Sequence, residues 1–194
     1  MSYCVKEVWR FAVMQEISFD EKHVRAATVN DARGIAEVHV AAWKTTYHEI
    51  FPASLLEALS VDKRETFWKE ILLETRTDAI TLVACNPADE VVGFVSGGAE
   101  RTGSLSCNGE LHAIYLQQAI RGQGLGTLLV RRLARELQSR GFTSMAVWVL
   151  GLNPYRKFYE ALGAAVIGEK TIERGGKSFL EIAYGWHDLS RLAG

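Results

Sequence analysis

Apolar positions change their period along the chain, and each change marks an element. Val24 to Thr28 reads as a short strand. Asn30 or Asp31 can cap the helix behind it, where Ile35, Val38, Val40, Ala42 and Trp43 fall near helical spacing. Pro52 opens a second helical piece with Leu55, Leu56 and Leu59. A third, Asp62 to Glu74, would turn Phe67, Trp68, Ile71 and Leu72 inward. The period then drops. Ala79 to Asn86 is a near-continuous apolar strand, Pro87 to Glu90 a turn, and Val91 to Ser96 the returning arm of a hairpin. The polar, glycine-rich stretch Gly97 to Gly109 reads as a loop, and Glu110 to Leu116 as a strand.

Leu125 to Arg140 is the clearest helix. Leu125, Leu129, Leu133 and Leu137 line one face, Leu128 and Val130 join them, and Gly141 stops it. Met145 to Leu150 is a buried strand, so the helix forms a parallel crossover. A short helix from Asn153-Pro154 through Phe158, Tyr159 and Leu162 ends at Gly163. Ala164 to Glu169 and Lys177 to Trp186 are strands around a Gly175-Gly176 turn. This order, β-α-α-α-β-β-β-α-β-α-β-β, predicts an α/β fold, a mixed sheet with helices on both faces.

Composition narrows the class. At 194 residues with 48% apolar side chains, the chain supports one domain with a core of its own. A net charge of −1 provides no field for nucleic acid or a membrane surface. No apolar run approaches the ~18 residues of a membrane helix. Cys4, Cys85 and Cys107 are odd in number and lack metal-ligand spacing, which points to a reducing, cytoplasmic setting without a bound metal. The poorly patterned residues 1–21 read as an N-terminal arm or extension, with no signal-peptide pattern, and the patterned domain covers 22–190. Such an arm could pack on a neighbour, which leaves room for a homodimer, or equally reflect the choice of start site, since Met14 would also open the domain.

The chemistry concentrates at Arg121-Gly122-Gln123-Gly124-Leu125-Gly126-Thr127, where a strand meets a glycine turn and a helix N-terminus. Free amide N–H groups and the positive end of the helix dipole make an anion site there, and glycines let a phosphate approach the backbone. A triphosphate loop needs a lysine after its last glycine, and none follows Gly126. A dinucleotide fingerprint needs G-x-G-x-x-G, but the third residue after Gly124 is Thr127. What fits is R-x-x-G-x-G, filled by Arg121, Gly124 and Gly126.

That pattern after Ile114-Tyr115-Leu116 resembles the coenzyme A pyrophosphate loop of the GNAT N-acetyltransferase superfamily. Two further stretches resemble the family: Asn153 with Tyr159 and Gly163, and the closing Tyr184-Gly185-Trp186. The resemblance covers about residues 22 to 188. It implies a mostly antiparallel central sheet of about 6–7 strands flanked by helices, with the fourth and fifth strands splayed around the cofactor. It implies acetyl-coenzyme A as cosubstrate and an amine of a small molecule or peptide as acceptor, attacked directly, since no cysteine stands in a nucleophile position. Arg156 departs from the small residue many members carry there, which bears on how the pantetheine arm packs.

Residue by residue, the resemblance implies that Arg121, Gly122, Gln123, Gly124, Leu125, Gly126 and Thr127 bind the pyrophosphate. Ile114, Tyr115 and Leu116 would pair with the pantetheine arm and polarise the thioester carbonyl, aided by a local bulge. Asn153 would bond the same arm, or cap the helix at Pro154. Tyr159 would stabilise the departing thiolate; a neutral tyrosine near pKa 10 is too weak an acid to protonate a thiolate fully, so a hydrogen bond is the expected role. Glu110 would act as base, directly or through water. By alternation His112 shares its face and is a second candidate, with Glu100 a weaker one. Trp43, Tyr47 and His48, with Tyr184 and Trp186 facing them, would receive the acceptor. The alternative is a GNAT-fold module that binds coenzyme A without catalysis, as a sensor or interaction domain.

Overall fold

The computed structural model describes residues 19–74 and 78–193. The N-terminal arm expected over 1–21 lies, except for its last three residues, outside the described residues.

A seven-stranded sheet runs through the domain in the order β1-β2-β3-β4-β5-β7-β6. Its strands are β1 (Val24–Ala26), β2 (Ile80–Cys85), β3 (Val91–Ala99), β4 (Gly109–Leu116), β5 (Met145–Leu150), β6 (Ala165–Arg174) and β7 (Lys177–Trp186). Every neighbouring pair is antiparallel except β4 with β5. Helices α1 (Ala32–Tyr47), α2 (Ala53–Glu57) and α3 (Val61–Leu73) precede β2. Helix α4 (Leu125–Ser139) joins β4 to β5, α5 (Lys157–Ala161) follows β5, and α6 (Ser190–Ala193) closes the chain.

Alternation along the strands builds a core on each face. Val83 and Phe94 turn toward α1 and α3, where they meet Ile35, Val38 and Trp68. Leu82, Val95, Leu111 and Val147 turn toward α4. The α4 stripe is deeply buried, with Leu125, Leu129, Leu133 and Leu137 at 1% exposure or less. Truncating one of them to alanine costs about 2–5 kcal/mol. At the end of α4, Gly141 adopts φ +87° and Phe142 N–H reaches back to Leu137 O at 3.1 Å, a left-handed helix stop that the glycine permits.

Four local expectations change. Gly97 and Gly98 belong to β3 rather than to a loop. A Cβ at Gly97 would lie 2.8 Å from Glu110 O, and one at Gly98 2.6 Å from Asp78 O, so these glycines permit close backbone approach within the sheet. Strand β6 runs on to Arg174, because it stays paired with β7 to the hairpin tip. Phe67 is 42% exposed, lying beside the Arg64 guanidinium, while its neighbour Trp68 fills the α1–α3 contact. Helix α5 begins at Lys157, because residues 153–156 are occupied by turns.

The feature that positions the site is the β4–β5 pair. It is parallel over only two positions, Gly109 with Met145 and Glu110 with Ala146. Asn108 pins this closed end, its Oδ1 accepting from the N–H groups of Thr143 and Ser144 at 3.1 Å each. Beyond it no further β4–β5 pairing occurs among the described residues. A bulge contributes: Gly97 lies opposite Leu111 and Ser96 opposite Ala113, leaving His112 as the extra residue. The bulge lies at His112 rather than at Ile114–Leu116 as expected. It resets the alternation, so Leu111 and Ile114 both face the α4 core.

Candidate functional site

Two cavities meet in the gap between β4 and β5. One, of about 520 Å³, is lined by Leu116, Arg121, Gly122, Gly124, Thr127 and Phe158 among others. The other, of about 310 Å³, opens on the opposite side between Trp43, Phe51, Trp148 and the β6–β7 hairpin. Ile114, Tyr115, Asn153 and Tyr159 line both. A ligand threaded through the splay therefore passes these four residues.

The first cavity presents unpaired main-chain donors. Gly122 and Gly124 adopt φ +80° and +82°, the left-handed region glycine enters without a Cβ penalty, and a Cβ at either would project into open space. Gly124 is the N-cap of α4 with no side-chain cap, so the first turn of α4 keeps its donors. Among the described residues, the N–H groups of Gly122 to Thr127 find no protein acceptor. The loop thus contributes main-chain donors, the glycines their openness. The side chains of Gln123 and Leu125 are committed elsewhere: Gln123 Nε2 donates to Ala119 O at 3.1 Å, and Leu125 is in the core.

Arg121 holds the turn against both walls. Its Nε donates to Leu116 O at 3.3 Å, one terminal nitrogen to the Tyr155 hydroxyl at 2.8 Å and the other to Thr45 Oγ1 at 3.3 Å. The guanidinium also stacks 5.0 Å from the Tyr155 ring centre. Tyr155 had no role in the sequence reading; nothing in its spacing pairs it with a residue 34 positions earlier. Arg156 is not among the residues lining this cavity.

Strand polarity sorts the three residues expected along the pantetheine arm. Gln117 N–H donates to Val92 O on β3 at 2.9 Å. By alternation the Tyr115 amide also points to β3, whereas those of Ile114 and Leu116 point into the gap. Tyr115 contributes its ring instead. Its hydroxyl accepts from Trp43 Nε1 at 2.8 Å, and its ring stacks 4.8 Å from that of His39. Burial raises the Tyr115 pKa well above the ordinary phenol value. His39 accepts from Trp68 Nε1 at 3.2 Å, and burial drives its pKa down to about 3, so it is neutral. As an apolar-face histidine on α1, it carried no sequence signal.

Asn153 does not cap α5, whose N-cap is Arg156; its Oδ1 accepts from Tyr155 N–H at 2.8 Å within the turn ahead of the helix. Its Nδ2 donates to the Tyr47 hydroxyl at 3.2 Å at the junction. Tyr159, on α5, is buried, and burial raises its pKa. Its ring rests against Tyr184 and Trp186, with centres 6.0 and 6.3 Å away. Its hydroxyl makes no hydrogen bond to a described residue. Tyr184 and Trp186 therefore back Tyr159 rather than face Trp43 and Tyr47. Tyr184 donates to Glu160 and Trp186 to Leu162 O.

Glu110 lines neither cavity. Its carboxylate is 1% exposed and receives Arg101 through two guanidinium nitrogens, at 2.5 and 3.1 Å, and the backbone N–H at 3.1 Å. The guanidinium stands between Glu110 and the second cavity, so this geometry does not bring the carboxylate to an amine. His112 lines that cavity, its Nε2–H donating to Ala99 O at 3.3 Å. Glu100 is turned into its own loop, accepting from Thr102 and Gly103. His48 is exposed and lines neither cavity, whereas Trp43, Tyr47 and Phe51 wall the second.

Among the described residues no His/Cys/Asp/Glu group could hold a metal ion, and no helix is long and apolar enough to cross a membrane.

Residues 92–172 match the model of the FR47-like protein family. YuaI of Bacillus subtilis (strain 168), an uncharacterized N-acetyltransferase, is 39% identical over 169 residues, 87% of this chain and 95% of that protein. Solved structures share the fold at lower identity. PaiA N-acetyltransferase from Thermoplasma acidophilum, in complex with coenzyme A, superposes with TM-score 0.63 at 18% identity, covering 82% of this chain and 96% of its own. YncA from Salmonella typhimurium, with acetyl-CoA, gives 0.62 at 20%, covering 86% and 92%. Ribosomal-protein-alanine N-acetyltransferase from Brucella melitensis gives 0.65 at 21%, covering 84% and 98%.

Proposed function

The chain belongs to the GNAT superfamily of N-acetyltransferases, and from that premise we propose that it transfers acetyl from acetyl-coenzyme A to an amine by direct attack. The observation that carries this reading is the meeting of an amide-lined anion cavity and an aromatic cavity at one gap in the sheet. A diphosphate on one side and an amine on the other then share a single point of contact.

In this reading the N–H groups of Gly122 to Thr127 grip the pyrophosphate, and the pantetheine arm runs along β4 toward Asn153. The outward N–H of Ile114 or Leu116 polarises the thioester carbonyl; one such donor contributes roughly 100- to 1000-fold in rate. The amine enters past Trp43 and Phe51. An ammonium has no lone pair, so its proton leaves first, taken by His112 on the cavity wall and passed to solvent. Glu110 serves as a positioning residue, fixing Arg101 beside His112. The nitrogen pair forms the C–N bond, the C–S pair departs with sulfur, and the second nitrogen proton leaves to solvent by the same route through His112. The Tyr159 hydroxyl donates to that thiolate. Its raised pKa favours a hydrogen bond over complete proton transfer. Two buried free cysteines, Cys85 and Cys107, fit a reducing, cytoplasmic setting.

The engaged state of Glu110 is what favours the rival, a module that binds coenzyme A without turnover. Thiol release from acetyl-coenzyme A across a panel of amines separates the two. Amine-dependent release supports the transferase. Calorimetric binding with no release on any amine supports the rival, and absence of binding removes both.

A further inference from the structure

We propose that the acceptor is a small amine that also carries a carboxylate, and that Arg174 receives that carboxylate at the mouth of the aromatic cavity. The proposal deepens the transferase reading and rests on it for the fate of the amine.

Three cationic side chains, Arg101, Lys170 and Arg174, line this cavity against one carboxylate, Glu181. Two of the cations are already neutralised. Arg101 is held by Glu110, and Lys170 lies 3.3 Å from Glu181 while its ammonium sits 3.8 Å from the centre of the Trp148 ring. Arg174 pairs with no acid among the described residues, although it lines the same cavity. The wall therefore carries one uncompensated positive charge.

Arg174 is exposed at the cavity rim. Arg174 is the last residue of β6, and the turn after it docks on the α1–α2 corner. A Cβ on Gly175 would come within 3.3 Å of Pro52 and of Leu55. The hairpin tip thus closes one side of the cavity and brings Arg174 to its rim. A planar guanidinium suits a carboxylate, which it can bind through two parallel N–H donors. Between this rim and the junction at Tyr159 the accessible lining is mostly polar, with the Lys170 ammonium across the Trp148 ring. A cavity of about 310 Å³ is at the small end of ligand sites, with room for a molecule of about amino-acid size rather than an extended chain. Carboxylate at Arg174 and amine at the gap describe a free amino acid.

The test compares L-amino acids with their C-terminal amides and decarboxylated amines. Thiol release gives turnover, and calorimetry of the intact chain gives binding. We expect at least one amino acid to show kcat/KM tenfold or more above both analogues. Arg174→Gln should raise KM for the acid about tenfold and collapse the acid-to-amide preference toward one. Amides or decarboxylated amines used equally well would overturn the carboxylate site while leaving the transferase intact. Arg174→Gln weakening acid and amide alike would also overturn it. If amino acids bind, lose affinity in Arg174→Gln and yet are never acetylated, the site stands and the transferase reading fails.

Discussion

Replacing Tyr159 by phenylalanine isolates the leaving-group step. The ring is buried and packs against Tyr184 and Trp186, contacts that phenylalanine keeps. The hydroxyl makes no hydrogen bond to a described residue, so its loss should change stability by no more than about 0.5 kcal/mol. What it loses is a donor to a departing thiolate. A hydrogen bond to a charged group contributes about 1.5–3 kcal/mol, which converts to roughly 10- to 150-fold in rate. Burial already holds the Tyr159 pKa above that of a free phenol, so proton transfer to a thiolate is uphill by more than ~2 kcal/mol, and the loss should be that of a hydrogen bond. Thiol release measured at saturating amine should therefore show kcat down 10- to 150-fold with KM for acetyl-coenzyme A within about twofold. The thermal midpoint should stay near that of the parent. A kcat within threefold of the parent, or a loss confined to KM, would refute the role.

Three other perturbations read other parts of the site. Gly124→Glu forces a side chain onto φ +82° and sets a carboxylate in front of the free amides, so acetyl-coenzyme A affinity by calorimetry should fall at least 100-fold; unchanged affinity would refute the anion site. His39 is buried neutral with a pKa of about 3 against an ordinary 6.5, so its contribution is complete above pH 6.5 and drains away as pH falls toward 3. Between pH 7 and 4.5 that amounts to about 2–3 kcal/mol, and His39→Gln, which cannot titrate, should lose correspondingly less in urea midpoints over that range. Arg101→Met strands the buried Glu110 carboxylate and should destabilise by about 2 kcal/mol or more, whereas adding Glu110→Gln should restore most of it; equal midpoints for both variants would show that the pair does not act as a unit.

The sequence reading succeeded where a local rule acts alone. The leucine stripe of α4 has a single period and a glycine stop, so the helix could be read from residues 125–141. The splay between β4 and β5 followed from family resemblance rather than from any pattern in those strands. Where two elements compete for one residue, the reading failed. Gly97 and Gly98 have loop composition, yet they are strand because neighbouring backbone leaves no room for a Cβ. Glu110 has the position of a base, yet Arg101, nine residues earlier in a glycine-rich loop, occupies its oxygens. His39, Tyr155 and Arg174 gained their places only through tertiary contacts: a ring stack, an arginine from across the groove and a docked hairpin tip. None of these has a spacing that a linear pattern can register.

The most direct test is a crystal structure of the chain with coenzyme A. The account predicts pyrophosphate oxygens within hydrogen-bond reach of the N–H groups between Gly122 and Thr127, and the sulfur in the gap beside Ile114 and Tyr159. Phosphates bound away from those amides, or a thiol directed outside the β4–β5 gap, would contradict it.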